Sequence, residues 1–207
     1  MEPQFTTLEY ILDKYDVKAD DKSPIVLKIS RWNDLPQLLV ELGFRVGAEI
    51  GVLAGSYTVA LLKAGLQIYA IDPWLQFDKK LEYYDYRKKD MSEYEKAARE
   101  RVEGQDVKII KATSMDALKE FKDDSLDFVF IDGNHEYRHV VDDIDEWSRK
   151  VRKGGIVMGH DYFKTKGGRN QMQVVQAVNG WVSSKKISPL FITKGVDKCP
   201  CWFYVRT

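Results

Sequence analysis

The sequence predicts an α/β fold: a mostly parallel sheet of about seven strands, with helices on both faces and an antiparallel strand at the C-terminal end. Three observations predict it. Strand-like runs alternate with helix-like runs from about residue 33 onward, the pattern of right-handed crossovers and a parallel sheet. Two adjacent strand runs, 127–132 and 155–161, each end in groups that can do chemistry. The last two strand runs are joined only by Lys194 to Pro200, too short for a helical crossover, so they should pair antiparallel.

The elements follow in order. Residues 1–30 have mixed polarity and no clear period. Leu35, Leu38, Leu39 and Leu42 recur at helical spacing, with Asn33 or Asp34 as a cap and Gly43 as a stop. A first strand is expected over 45–52, a short helix over 56–64 closed by Gly65, and a second strand over 67–72. Residues 74–90 are rich in aromatic and charged groups. Ser92 and Glu95 have the spacing of a capping box for a helix to about Val102. A third strand is expected over 106–113, with Ser114 capping a short helix after it, and a fourth over 127–132. Val140, Val141, Ile144, Trp147 and Val151 give the next helix one apolar stripe. A fifth strand over 155–161, a helix over 171–183 and strands over 187–193 and 201–207 complete the chain.

Composition narrows the function. A length of 207 residues suits one domain, read here as 33–207 behind an N-terminal extension, 1–32. Hydrophobic residues make up 44% and charged residues 31%, as in a soluble globular protein. The 32 basic residues balance the 32 acidic ones, which argues against nucleic acid as partner. No basic start precedes an apolar run, and no run approaches the ~20 residues of a membrane span. The expected location is the cytoplasm, with no membrane partner. Cys199 and Cys201 are the only cysteines; they are expected to be structural, since two thiols without a second pair are a weak metal signal.

The chemistry gathers at strand ends, where open α/β sheets bind ligands. The first strand runs into Glu49, Gly51, Gly55 and Ser56. Glycines there let a ligand approach the backbone, and the following helix offers free N–H groups; the alternative is a tight turn that needs glycine only for its geometry. The spacing matches neither a dinucleotide fingerprint nor a P-loop. The second strand ends in Asp72, followed by Pro73 and Trp74. A carboxylate at that tip can accept both hydroxyls of a ribose, or cap a loop. Together the two features point to a ribose-bearing cofactor. Asp132 and His135 follow the fourth strand, and His160 and Asp161 end the fifth. His139 belongs on the polar side of its helix and Trp147 in the core.

This arrangement resembles the class I S-adenosylmethionine-dependent methyltransferases. Their acid-x-Gly-x-x-x-Gly turn is matched by Glu49, Gly51 and Gly55, with Leu53 standing where the family has a middle glycine. The resemblance spans about residues 33–207 and implies a Rossmann-like class I methyltransferase fold. It also implies that the glycine turn meets the methionine part of S-adenosylmethionine, that Asp72 holds the ribose, and that Ser114 and Met115 flank the adenine. The ordered segments IDGNHEY and KGGIVMGHDY further resemble a bacterial and phage branch related to metal-dependent sugar O-methyltransferases.

That branch implies a role for each remaining group. A hydroxyl acceptor must lose its proton, and His135, three residues after Asp132 as in those relatives, is the candidate base. Its ordinary pKa of roughly 6.5 would leave it neutral near pH 7; the alternative is a helix cap or loop support. Asp132, His160 and Asp161 are candidate ligands for Mg²⁺ or Mn²⁺. Relatives carry an acid at the position of His160, and an imidazole suits Mn²⁺, Fe²⁺ or Zn²⁺ better than Mg²⁺. Without an ion, Asp132 would contact cofactor or acceptor. Residues 77–86 and 162–170, the latter with Lys164, Lys166 and Arg169, are candidate covers for the substrate. The resulting expectation is methyl transfer to a small-molecule hydroxyl, such as that of a sugar. Alternatives are a metal-independent methyltransferase and a protein that binds the cofactor without catalysis. The acceptor and any homo-oligomer are left open.

Overall fold

The computed structural model describes residues 5–20, 22–75, 90–164, 172–195 and 197–207. The chain runs through α1 (Thr7–Lys14), β1 (Ile25–Leu27), α2 (Asp34–Glu41), β2 (Val46–Ile50), α3 (Ser56–Lys63) and β3 (Gln67–Ile71). It continues with α4 (Met91–Arg101), β4 (Val107–Ile110), α5 (Ser114–Ala117), β5 (Leu126–Ile131) and α6 (Tyr137–Lys150). The last elements are β6 (Val151–Gly159), α7 (Val174–Ser184), β7 (Phe191–Thr193) and β8 (Trp202–Val205).

The eight strands form one sheet in the order β1-β7-β8-β6-β5-β2-β3-β4. β8 runs antiparallel to both of its neighbours, and the other pairings are parallel. The short connection between β7 and β8 therefore does what its length demands. Seven strands fall where the hydrophobic runs place them. The eighth, β1, pairs with β7 inside the segment that has no sequence period. Three residues with one exposed valine between two buried residues leave too short a pattern to read.

Side chains alternate across the sheet and build two cores. Phe128 and Phe130 of β5 join Ile11, Leu35, Leu38, Leu39 and Leu61 on one face. Val129 and Ile131 join Val140, Ile144, Trp147 and Val178 on the other. Trp147 is fully buried, as its helical stripe predicts. The described residues before Asn33 join this packing: Ile11 is buried in the first core, and the Thr7 hydroxyl donates to the Gly154 carbonyl at 2.6 Å.

Two caps differ from the sequence expectation. Asp90, not Ser92, caps α4 and accepts from the Ser92 amide at 2.9 Å. Thr113, not Ser114, caps α5 and accepts from the Asp116 amide. In both cases the residue one or two places earlier is the one with extended backbone, which an N-cap requires.

The chain crosses from β2 toward β3 and β4 on one side, then returns to place β5 on the other side of β2. This reversal opens a crevice at the carboxyl ends of β2 and β5, where ligands of such sheets bind.

Candidate active site

A cavity of about 1020 Å³ fills that crevice. Its wall begins with the turn after β2. Gly51 has φ +88, and a Cβ there would lie 2.2 Å from the Asp132 carbonyl oxygen, so only glycine lets the tips of β2 and β5 meet. Leu53 also has positive φ, at 48°, a conformation that glycine adopts without steric cost. The Asp72 carboxylate holds this turn. One oxygen accepts from the Leu53 amide at 2.9 Å, and the other from the Trp74 amide at 2.7 Å. Trp74 in turn donates from Nε1 to the Leu53 carbonyl at 2.8 Å. Asp72 is buried, which raises its pKa against the pull of those amides.

Glu49 lies at the floor of the cavity, 2% exposed, and accepts from the Thr58 hydroxyl at 2.5 Å. Burial pushes its pKa up to about 8, so its carboxyl is largely neutral at pH 7. On the opposite side, Ser114 is fully engaged: its hydroxyl donates to Asp143 and accepts from Trp147 Nε1. Burial lifts Asp143 to about 7.

The ends of β5 and β6 form the other half. His135 Nε2 lies 2.8 Å from Asp161 Oδ2 and 3.6 Å from Asp132 Oδ1. His160 Nδ1 lies 3.1 Å from Asp161 Oδ1 and 3.4 Å from Asp132 Oδ2. Burial pushes both imidazoles down, but hydrogen bonds and charge from Asp132 and Asp161 outweigh it and lift each to about 9. The expectation of a His135 near its ordinary pKa is therefore corrected. Two flanking carboxylates, Asp132 three residues before it and Asp161 distant in sequence, hold its proton. Burial raises the Asp161 carboxyl, yet the two imidazoles hold it well below the usual range. Asp161 has φ +58, a left-handed conformation that non-glycine residues seldom adopt and that commonly marks functional sites.

Donor atoms of Asp132, His135 and Asp161 lie within 4.8 Å of one another, as do those of His160, Asp161 and Cys199. These sets fit a divalent cation. Their mixture of carboxylate, imidazole and thiol suits Mn²⁺, Fe²⁺ or Zn²⁺ better than Mg²⁺.

Most of the residues predicted from sequence line this one cavity: Glu49, Gly51, Ser56, Asp72, Pro73, Ser114, Met115, Asp132, His135, His160 and Asp161. Gly55 and Trp74 do not. Gly55 caps α3 against Ala98, and Trp74 is buried behind the turn. His139 is half exposed, as its helical position predicts, yet it reaches the rim. Cys201 is buried and structural, whereas Cys199 departs from that expectation and lines the cavity. The candidate covers at 77–86 and 165–170 lie outside the described residues. Sequence reasoning missed Arg31, Trp32, Tyr57 and Asp143, all lining residues. The first two sit between a segment without periodicity and the first helical stripe. Tyr57 and Asp143 read as ordinary helix positions.

Comparison with known proteins bears on family and fold. A family described as "Methyltransferase domain" matches residues 48–162. A protein of Acanthamoeba polyphaga mimivirus, R132, is 28% identical over 92 residues, 42% of this chain and 42% of its own length. A protein of Sinorhizobium fredii, y4gI, is 26% identical over 128 residues, 61% of this chain and 13% of its own length. The chain thus spans less than half of either relative. Among solved structures, an O-methyltransferase from Bacillus cereus in complex with SAH aligns with a TM-score of 0.61 at 19% identity, covering 100% of this chain and 93% of that one. The O-methyltransferase TomG from Streptomyces achromogenes, in complex with SAM, gives 0.62 at 15% identity, covering 99% and 92%.

Proposed function

The chain belongs to the methyltransferase-domain family, as a class I methyltransferase, and we propose that it moves a methyl group from S-adenosylmethionine to a hydroxyl of a small molecule such as a sugar. One juxtaposition carries this reading: the Gly51–Asp72 turn and the Asp132–His135–His160–Asp161 cluster line the same cavity. The turn fits a ribose and an amino-acid tail, and the cluster fits an acceptor that must lose a proton.

Methyl transfer is an in-line displacement. The acceptor oxygen forms a bond to the methyl carbon as the carbon–sulfur bond breaks, and the hydroxyl proton leaves. The enzyme must hold that oxygen ~3 Å from the methyl. Asp72 has two amides on its carboxylate and keeps further lone pairs for the ribose hydroxyls. Asp132 and Asp161 orient the acceptor, and the neutral form of His135, the minority form at pH 7 given its lifted pKa, takes its proton. Asp132, His160 and Asp161 would hold a divalent ion, which would supply a Lewis acid for the hydroxyl when bound. Cys199 groups with His160 and Asp161 as a third donor there.

The test is transfer of labelled methyl from S-adenosylmethionine to a panel of hydroxylated sugars, in chelator and after Mn²⁺ is restored. The expected outcome is label in an ether and a loss of rate in chelator. Full activity in chelator would remove the ion. Label on nitrogen would remove the hydroxyl acceptor. The lifted pKa of His135 favours a second, metal-independent reading, in which the two histidines and two carboxylates only position the acceptor.

A further inference from the structure

Arg31 is the one arginine or lysine among the described residues that line the cavity. It faces Glu49, Asp72, Asp132, Glu136, Asp142, Asp143 and Asp161 around the same wall, so its charge is not part of a general basic surface. It is held with care. Its amide donates to Asp197 at 2.7 Å, and the Trp32 amide beside it donates to the Ser30 hydroxyl. Its guanidinium lies 4.3 Å from the Trp32 ring centroid and 5.7 Å from that of Tyr57. Stacking of this kind fixes the plane of the fork.

The fork is nevertheless only partly used. Nη1 is 3.9 Å from Asp132 Oδ2, too long for a hydrogen bond. Nε is buried without a hydrogen-bond partner, and a buried donor left this way is costly. A planar, stacked guanidinium with open donors is shaped for a two-oxygen anion. Arg31 stands at the junction of the glycine turn and the Asp132 cluster, where donor and acceptor meet.

We propose that Arg31 is the receptor for a ligand carboxylate at this junction, an inference that rests on the methyltransferase reading above. The carboxylate comes either from the methionine part of the cofactor or from an acceptor that carries an acid near its hydroxyl. Arg31 then turns from its loose pair with Asp132 to a two-point contact with the ligand, and Asp132 is released toward the acceptor.

The experiment compares wild type, Arg31→Ala and Arg31→Lys by calorimetry with S-adenosylhomocysteine and with 5′-methylthioadenosine, which lacks the amino-acid tail. Melting curves confirm folding, and Arg31→Lys keeps the cation if the alanine variant is unstable. If the carboxylate is the cofactor's, Arg31→Ala weakens S-adenosylhomocysteine by about 10- to 100-fold, Arg31→Lys by less, and 5′-methylthioadenosine is bound equally by all three. If it is the acceptor's, both nucleosides bind equally to all three, and glycolate added to the S-adenosylhomocysteine complex shifts the Arg31 Nε–H resonance of the wild type. Equal binding of both nucleosides, with no glycolate response, would overturn the proposal. A wild type that binds neither nucleoside would instead defeat the cofactor reading.

Discussion

The two ends of β5 carry one aspartate each, and the two are treated in opposite ways. At the start, Asp127 accepts from the Arg45 amide at 2.7 Å, the Val46 amide at 3.0 Å and Arg152 Nε at 2.7 Å. Burial raises its pKa, but those donors outweigh it and hold the carboxyl below its ordinary value. At the other end, Asp132 has two imidazoles and a guanidinium at 3.4–3.9 Å, each in loose contact. The first carboxylate is saturated and locks β2, β5 and β6 together. The second is surrounded by charge but poorly bonded, as a group is when its partner is a ligand. Under the proposed function, stability and chemistry occupy opposite edges of one sheet.

Substitutions can break this contrast. The largest expected effect is on rate. His135→Ala should lower turnover roughly 10²–10⁴-fold and leave S-adenosylhomocysteine affinity near wild type; an unchanged rate would make His135 structural. Asp132→Ala should lose activity as severely, yet change unfolding free energy by about 1 kcal/mol or less, because the imidazoles can release their protons when the carboxylate goes. Asp127→Ala should do the reverse: cost about 2–4 kcal/mol in denaturant unfolding, by stranding two amides and a guanidinium, while the folded fraction keeps its cofactor affinity. Equal stability losses at both ends would erase the distinction.

A smaller effect concerns pH. Glu49 has a pKa of about 8 in the fold and 4.5 as its ordinary value. Between those values the native state holds a proton that the unfolded chain has released, so Glu49 makes stability fall as pH rises from about 4.5 to 8. Glu49→Gln should flatten that part of the stability profile, measured by urea unfolding across the window. An unchanged slope would show that the carboxyl is ionised where it lies. The smallest effect is at Leu53. A left-handed non-glycine residue costs about 1–2 kcal/mol, partly offset by the entropy that glycine loses on folding. Leu53→Gly should therefore raise stability by about 1 kcal/mol or less; a clear loss would mean that Leu53 makes packing contacts worth more than its strain.

Most of the sheet was legible because strand periodicity, glycine turns and helical stripes act within a few residues. β5 shows this: Phe128 and Phe130 alternate with Val129 and Ile131, and Asp132 follows at its tip. The candidate active edge was legible for the same reason, since Asp72, Asp132, His160 and Asp161 all sit at strand ends. Less accessible was anything set by contacts across the sheet. β1 is too short to show a period, so Arg31, which it leads into, had no signal. The charge state of His135 depends on Asp161, 26 positions away in sequence. Cys199 approaches the site only because β7 and β8 return to the sheet beside β6.

Titration of S-adenosylhomocysteine into the wild type and Asp72→Ala, followed by calorimetry, tests the central claim most directly. One site per chain is predicted in the wild type and an affinity reduced at least tenfold in the variant, since Asp72 shapes the glycine turn and is the residue proposed to hold the ribose. Absence of binding to the wild type, or equal affinity in the two proteins, would contradict it.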